Sequence, residues 1–217
     1  MKFFITVLAL ALFIPASNGA AKPTTQAKFT TEKIKLDGHL DESVWASVMK
    51  AGGDMQQYEP RQGVPMTQKT EFMVVYDEDS IYFGIIAYDT EPKKIVASVM
   101  ERDEVPFYDD SLFLAIDTMN DNRNGYVLWT NPNGIKYDAS VTNNSSLNVQ
   151  WDGIWDVKAV RTKHGWQAEI RLPFSTVRHR AGANVWGFNL WRKLPRNGEE
   201  GRWSESRPEI RTYHFAQ

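Results

Sequence analysis

From Lys33 onward the pattern of apolar and polar residues along this chain is that of β-strands. In "GWQAEIRL", Trp166, Ala168, Ile170 and Leu172 fall on one face, and Gln167, Glu169 and Arg171 fall on the other. That is the signature of a half-buried strand. "TEFMVVYDEDSIYFGIIAYD" predicts two strands joined at the polar turn "DEDS". "DSLFLAIDT" and "GYVLWTNPNG" follow, separated by the loop "MNDNRN", and "WDVKAVRTKHGWQAEIRLPF" predicts a hairpin turning at Lys163, His164 and Gly165. "WGFNLWRKL" is the last predicted strand. The one helix-like stretch is "LDESVWASVMK", where Asp41 is placed to act as N-cap of a short turn carrying Val44 and Trp45 inward. Many short strands without alternating helices predict an all-β fold. The expected architecture is an antiparallel β-sandwich of immunoglobulin-like or jelly-roll type with at most one short helix.

The first residues follow a different pattern. Lys2 precedes the apolar run "FFITVLALALFIP", which ends in the small residues "ASNGAA". This order predicts a secretory signal peptide over residues 1–21, cleaved between Gly19 and Lys22. The run is too short for a membrane-spanning helix. Export to the periplasm or cell surface of a Gram-negative bacterium is therefore expected. Residues 22–32, including "KPTTQAKFTT", lack periodicity and are expected to form a linker, with one sandwich domain over 33–217.

Composition narrows the chemistry. A net charge of −2 leaves no basic footprint for nucleic acid, and with 0 Cys there is neither a disulfide framework nor a thiolate metal site. The histidines, His39, His164, His179 and His214, show no metal-ligand spacing. No Gly-rich phosphate loop or nucleophile elbow occurs. Asp109 and Asp110 are adjacent carboxylates, but neighbours entering a strand point to opposite faces and cannot flank one bond. No catalytic residue is expected. No cofactor is required, and a structural calcium ion among Asp117, Asp121 and Asp138 is left open.

Aromatics make up 12% of the chain, with 8 Trp and 8 Tyr, and demand a core or a ligand explanation. In "QWDGIWDVKAV", Trp155 begins an alternation continued by Val157 and Ala159, so it is expected inside, with Trp151 capping the sandwich edge.

"KLDGHLDESVWASV", "TEFMVVYDEDSIYFGIIAYD", "DDSLFLAIDT", "GWQAEIRLPFSTVR" and "WGFNLWRKLPRNGEEGRW" together resemble the family 9 carbohydrate-binding modules. The resemblance spans Lys33 to Phe215. It is strongest to the version at the N-terminus of large bacterial outer-membrane proteins, ahead of a β-barrel. It implies a β-sandwich, binding of glycan chain ends, and association with xylan- or cellulose-degrading enzymes whose catalysis lies in another domain.

Carried over to this chain, the family's sugar site implies Phe107, Tyr108, Asp110, Phe113 and Trp191. Phe107 stands for the Trp of a Pro-Trp-x-x-Asp-Ser segment, and Asp110 is its Asp. Phe113 replaces a sugar-binding Glu, Leu128 falls near a sugar-binding Arg, and Trp191 replaces a Gln. No Trp occurs in "SRPEIRTY", where a second stacking Trp is expected, and Trp203 matches a framework Trp. The polar groups that grip hydroxyls are thus largely replaced by aromatic surface. Two functions follow: a non-catalytic module binding polysaccharide by stacking on Phe107, Phe113 and Trp191, or an interaction domain that docks on a membrane β-barrel or another partner. The family also continues past its framework Trp into a strand of pattern Phe-Gly-x-Leu, whereas "RWSESRPEIRTYHFAQ" ends two residues after Phe215. A sandwich one strand short, with an unpaired edge, is expected.

Overall fold

The computed structural model describes residues 23–182 and 184–204. The expected signal peptide, the "SRPEIRTY" stretch, His214 and the expected shortened edge lie outside the described residues. In chain order the elements are β1 (Lys28–Phe29), α1 (Ser43–Ala46), β2 (Gln56–Glu59), β3 (Thr70–Tyr76), β4 (Ser80–Tyr88), β5 (Ser111–Asp117) and β6 (Gly125–Thr130). They continue with β7 (Tyr137–Thr142), β8 (Ser146–Asn148), β9 (Asp156–Thr162), β10 (Gly165–Pro173), β11 (Gly187–Leu194) and β12 (Glu199–Arg202).

These strands form two sheets, one ordered β1-β3-β4-β10-β9 and the other β2-β12-β11-β5-β6-β7-β8. The pairing is antiparallel except where β1 runs parallel to β3. β1 falls in the stretch expected as linker; two backbone pairs to Val75 and Tyr76 suffice to place it despite its lack of periodicity. The sandwich and its single short α-helix agree with the sequence pattern. The hairpin expected at Lys163–Gly165 forms, closed by the backbone of Gly165 at φ 136°, where any Cβ would collide with the Ala87 carbonyl.

Leu112, Leu114 and Ile116 of β5 and Leu190 of β11 meet Phe72, Phe83, Ile85 and Ile170 of the opposite sheet in one core. Trp155 is fully buried there, and its indole N–H donates to Asp138 Oδ2 at 2.7 Å. The Gly153 amide donates to the same oxygen at 3.0 Å. Trp151 is half-buried, its ring 4.7 Å from that of Tyr126. The two tryptophans of "WDGIW" therefore anchor a loop to the framework.

A buried arginine ties the sheets together. Arg192, on β11, is fully buried; its Nη1 donates to the Lys69 carbonyl at 2.9 Å and to Thr70 Oγ1 at 3.2 Å, and its Nη2 donates to the Tyr88 carbonyl at 2.8 Å. Burial pulls its pKa down to about 10, against the opposing pull of Asp110 and Asp89, so it stays charged at neutral pH.

The N-terminal segment covers the outer face of the five-stranded sheet. Val44 and Trp45 pack on Met73, Val75 and Tyr82, so they are buried as expected, but outside the sandwich and not between its sheets. Gly84 permits this, because a Cβ there would lie 2.8 Å from Leu40 and 3.0 Å from Trp45. Glu42, not Asp41, occupies the N-cap, and the first-turn amides of Ser43 and Val44 are satisfied by Glu32 from outside the helix. The segment also buries Glu169, whose Oε2 accepts from the Asp37 and Gly38 amides at 3.0 and 2.8 Å. Burial dominates and pushes that carboxyl from 4.5 to about 7.

Two outcomes are expected. Arg192→Ala strands buried carbonyls and carboxylates and should cost about 3–5 kcal/mol in urea unfolding; a loss below about 1 kcal/mol would remove Arg192 as the inter-sheet tie. Glu169 holds its proton in the folded state at pH values where the unfolded chain has released it. Its contribution is full below about 4.5 and is lost as pH rises to about 7. The stability gap between wild type and Glu169→Gln should therefore shift across that window and stay flat above it. A gap independent of pH would contradict this.

Candidate functional site

Strand alternation sets what the seven-stranded sheet shows to solvent. With Leu112, Leu114, Leu190 and Arg192 turned inward, Ser111, Phe113, Trp191 and Lys193 must face out. Register then assembles two rows on that outer face. In the first, Tyr137, Trp129, Phe113, Trp191 and Arg202 stand in direct cross-strand pairs over β7, β6, β5, β11 and β12. In the second, Ser111, Lys193 and Glu200 are paired over β5, β11 and β12.

The aromatic row is tightly packed. Phe113 and Trp191 are stacked with centroids 4.5 Å apart and planes at 14°. Trp129 meets Phe113 edge-on at 5.5 Å, and Tyr137 meets Trp129 edge-on at 5.9 Å. The Arg202 guanidinium lies 4.1 Å from the Trp191 ring and 3.6 Å from the Tyr58 ring. One face of Trp191 thus meets Phe113 and the other meets Arg202, so the indole acts as a wall and not as an open stacking platform.

Above this row stands Phe107, edge-on to Trp129 at 5.6 Å. Together Val105, Phe107, Phe113, Trp129, Tyr137, Leu147 and Trp191, with Ser111, Lys193 and Glu200, enclose a pocket of about 330 Å³. Lys193 Nζ sits 5.1 Å from the Phe107 centroid. Glu200 Oε1 accepts from Arg202 Nε at 3.1 Å and Nη2 at 2.8 Å. Among the described residues, Ser111 Oγ and Trp129 Nε1 are buried with no hydrogen-bond partner.

Phe107 is held in place from below. Fully buried Asp109 accepts from the Ser98 amide and hydroxyl, the Val99 amide and Asn131 Nδ2, at 2.7 to 3.0 Å. Burial alone would raise its pKa; those hydrogen bonds outweigh it and hold the carboxyl below the ordinary range.

Of the five residues carried over from the resemblance, Phe107, Phe113 and Trp191 come together in the pocket. Tyr108 is 85% exposed beside it and does not line it. Asp110 is placed elsewhere. It shares the inward parity of Leu112, is fully buried, accepts from the Val96 amide at 2.9 Å, and has its pKa raised by burial. It cannot meet a ligand on the outer face. Leu128 is likewise a core residue, and its outward neighbour is Trp129. Trp203 packs on Phe72 and Phe188, as a framework residue does. The sequence reading missed Trp129, Tyr137, Lys193, Glu200 and Arg202. Alternation along β6 could have found Trp129; the others need the register of strands that the pattern does not announce.

The acidic residues left open for calcium are engaged by the protein. Asp117 caps Met119 and Asn122, Asp121 caps Arg123 and Asn124, and Asp138 holds Trp155. Among the described residues no three His, Cys, Asp or Glu side chains group as metal ligands. His39, His164 and His179 are exposed and separate.

The family model described as carbohydrate family 9 binding domain-like matches residues 36–201. The chain belongs to that family. No curated protein matches it. Among solved structures, this family 9-like domain is similar to a putative carbohydrate-binding protein from Bacteroides uniformis, with 12% identity over 90% of this chain and 97% of that one and a TM-score of 0.68. It is also similar to a family 9 carbohydrate-binding module from Caldicellulosiruptor kristjanssonii. In the complex of that module with cellotriose the identity is 13% over 88% and 90% of the two chains, with a TM-score of 0.61. In its complex with glucose the figures are 16%, 82% and 84%, with a TM-score of 0.58. At these identities the likeness is one of fold.

Proposed function

We propose that this domain is a non-catalytic carbohydrate-binding module whose ligand enters the pocket on the outer face of the seven-stranded sheet. The observation that carries this is an aromatic pocket with hydrogen-bonding side chains in its walls. A sugar presents apolar C–H faces to rings and hydroxyls to hydrogen-bonding groups, so it needs both kinds of surface. Here Phe107, 57% exposed, offers the accessible ring, while the half-buried Lys193 and Glu200 bring hydrogen-bonding groups to the pocket. Family membership and the glucose and cellotriose complexes of a similar fold support the same ligand class. Xylan- or cellulose-like chains or chain ends, bound by an exported protein in support of carbohydrate catabolism, fit the signal-like N-terminus read from the sequence.

A second reading is docking on a membrane β-barrel or another protein partner. It is favoured by Met100, Phe107 and Tyr108, exposed by 79%, 57% and 85% on one segment beside the pocket.

Titration calorimetry against xylo- and cello-oligosaccharides, with native and reduced ends, separates the two. Binding should be seen, and Phe107→Ala should weaken it by about 1–3 kcal/mol, the range of ring stacking on aromatic side chains. Phe29→Ala, on the other sheet, should leave it unchanged. Absence of binding to every glycan would favour docking. The purified protein should also release no reducing sugar, since Glu200 is the one carboxylate among the residues lining the pocket and acid–base glycoside cleavage uses two. Activity abolished by a single Asp or Glu substitution would overturn that.

A further inference from the structure

We infer that the pocket selects an anionic sugar, a uronate residue, over neutral sugars, with Lys193 as the group that recognises its carboxylate. This rests on the pocket being a carbohydrate site and adds the class of sugar. The charge balance is the first argument. Lys193 and Glu200 are the charged residues among those that line the pocket, and Arg202 adjoins them. Two cations share one carboxylate. In the structure Glu200 is hydrogen-bonded to Arg202, which is itself held between Tyr58 and Trp191. Lys193, although directly opposite Glu200 in register, turns away to lie over Phe107, with its Nζ 3.4 Å from the Phe107 carbonyl. No carboxylate among the described residues lies within ion-pair distance of it. If Lys193 swung to Glu200 instead, Arg202 would be the cation left over. Either way one cation of the pair is left without Glu200; Asp103, the acid that acts on Tyr137 at the opposite end of the aromatic row, is itself paired with Arg102. Glu59, in register with Glu200 on its other side, is not a lining residue.

Hydrogen-bond complementarity is the second argument. Lys193 brings three donors and no acceptor, and an indole N–H is a donor alone. Among the described residues Trp129 Nε1 and Ser111 Oγ are unpartnered, and Ser111 stands directly across from Lys193. The Lys193 ammonium is a donor alone, and the ligand group that matches several donors and one positive charge is a carboxylate. On a pyranuronate that group projects from the edge of the ring. The C–H faces stay available for Phe107 and the aromatic wall.

The test is calorimetry of the purified protein with trigalacturonate and with cellotriose at low ionic strength. Trigalacturonate should bind roughly tenfold tighter, a difference of about 1.4 kcal/mol, and added salt should shrink the gap. Lys193→Met keeps the stem over Phe107 and removes the charge; it should abolish the preference, bringing trigalacturonate to the affinity of cellotriose. Lys193→Arg should retain it. Equal affinity for the two sugars, or a preference that survives Lys193→Met, would overturn this inference and leave the carbohydrate site standing. Binding of neither sugar, nor of any glycan in the wider panel, would remove the carbohydrate reading and this inference with it.

Discussion

Arg192 sets the orientation of the face that carries the pocket. A guanidinium is expensive to take out of water, and the cost is met only when its hydrogen bonds and counter-charges are in place. Here Lys69, Thr70 and Tyr88, from the opposite sheet, supply the acceptors, and Asp110 and Asp89 supply negative potential. That requirement fixes β11 against the far sheet. Because side chains alternate, it also obliges Trp191 and Lys193 to face solvent. A slip of one residue would reverse every assignment on β11, exposing Arg192 and its carbonyl partners and driving Lys193 into the core. Asp110 acts in the same sense on β5. Its burial sends Ser111 and Phe113 outward, into register with Lys193 and Trp191. The outer face is therefore specified from inside the sandwich.

This explains which parts of the protein were legible in the sequence. Strands β3, β4, β5, β6, β9, β10 and β11 are apolar runs or alternating segments containing Val, Ile, Phe or Leu, and they stand within a residue or two of the expected places. β2, β7, β8 and β12 escaped because "QQYE", "YDASVT", "SLN" and "EEGR" are short or carry charge, Asp, Asn or Gly, and form by pairing to stronger neighbours. The same blind spot hid half of the site. Tyr137 depends on β7, and Glu200 and Arg202 on β12. Phe107, Phe113 and Trp191 were accessible because a motif and a strong strand carry them. Asp110 was misplaced by following the motif over the alternation, although its even parity with Leu112, Leu114 and Ile116 already pointed inward. Arg192 was invisible for a related reason: a charge in an alternating strand is expected to mark the solvent face, and nothing local shows that carbonyls of a distant sheet wait for it.

The two rows divide the work of the site. In the aromatic row Trp129, Phe113 and Trp191 are each held on both sides by a cross-strand neighbour, and such pairs contribute about 0.2–1 kcal/mol each to the sheet. Phe113 and Trp191 stand on edge, shape the pocket walls and lose little freedom when a ligand arrives, so little ordering has to be charged against binding. The ionic row, two residues away along the same strands, packs loosely, and Lys193 and Glu200 are half-buried with long flexible stems. Ring stacking is tolerant of ligand identity, whereas a single uncompensated ammonium is not. The wall of the pocket and its one ammonium thus come from neighbouring outward positions of β11, and the inward turn of Arg192 between Trp191 and Lys193 holds both on the same face.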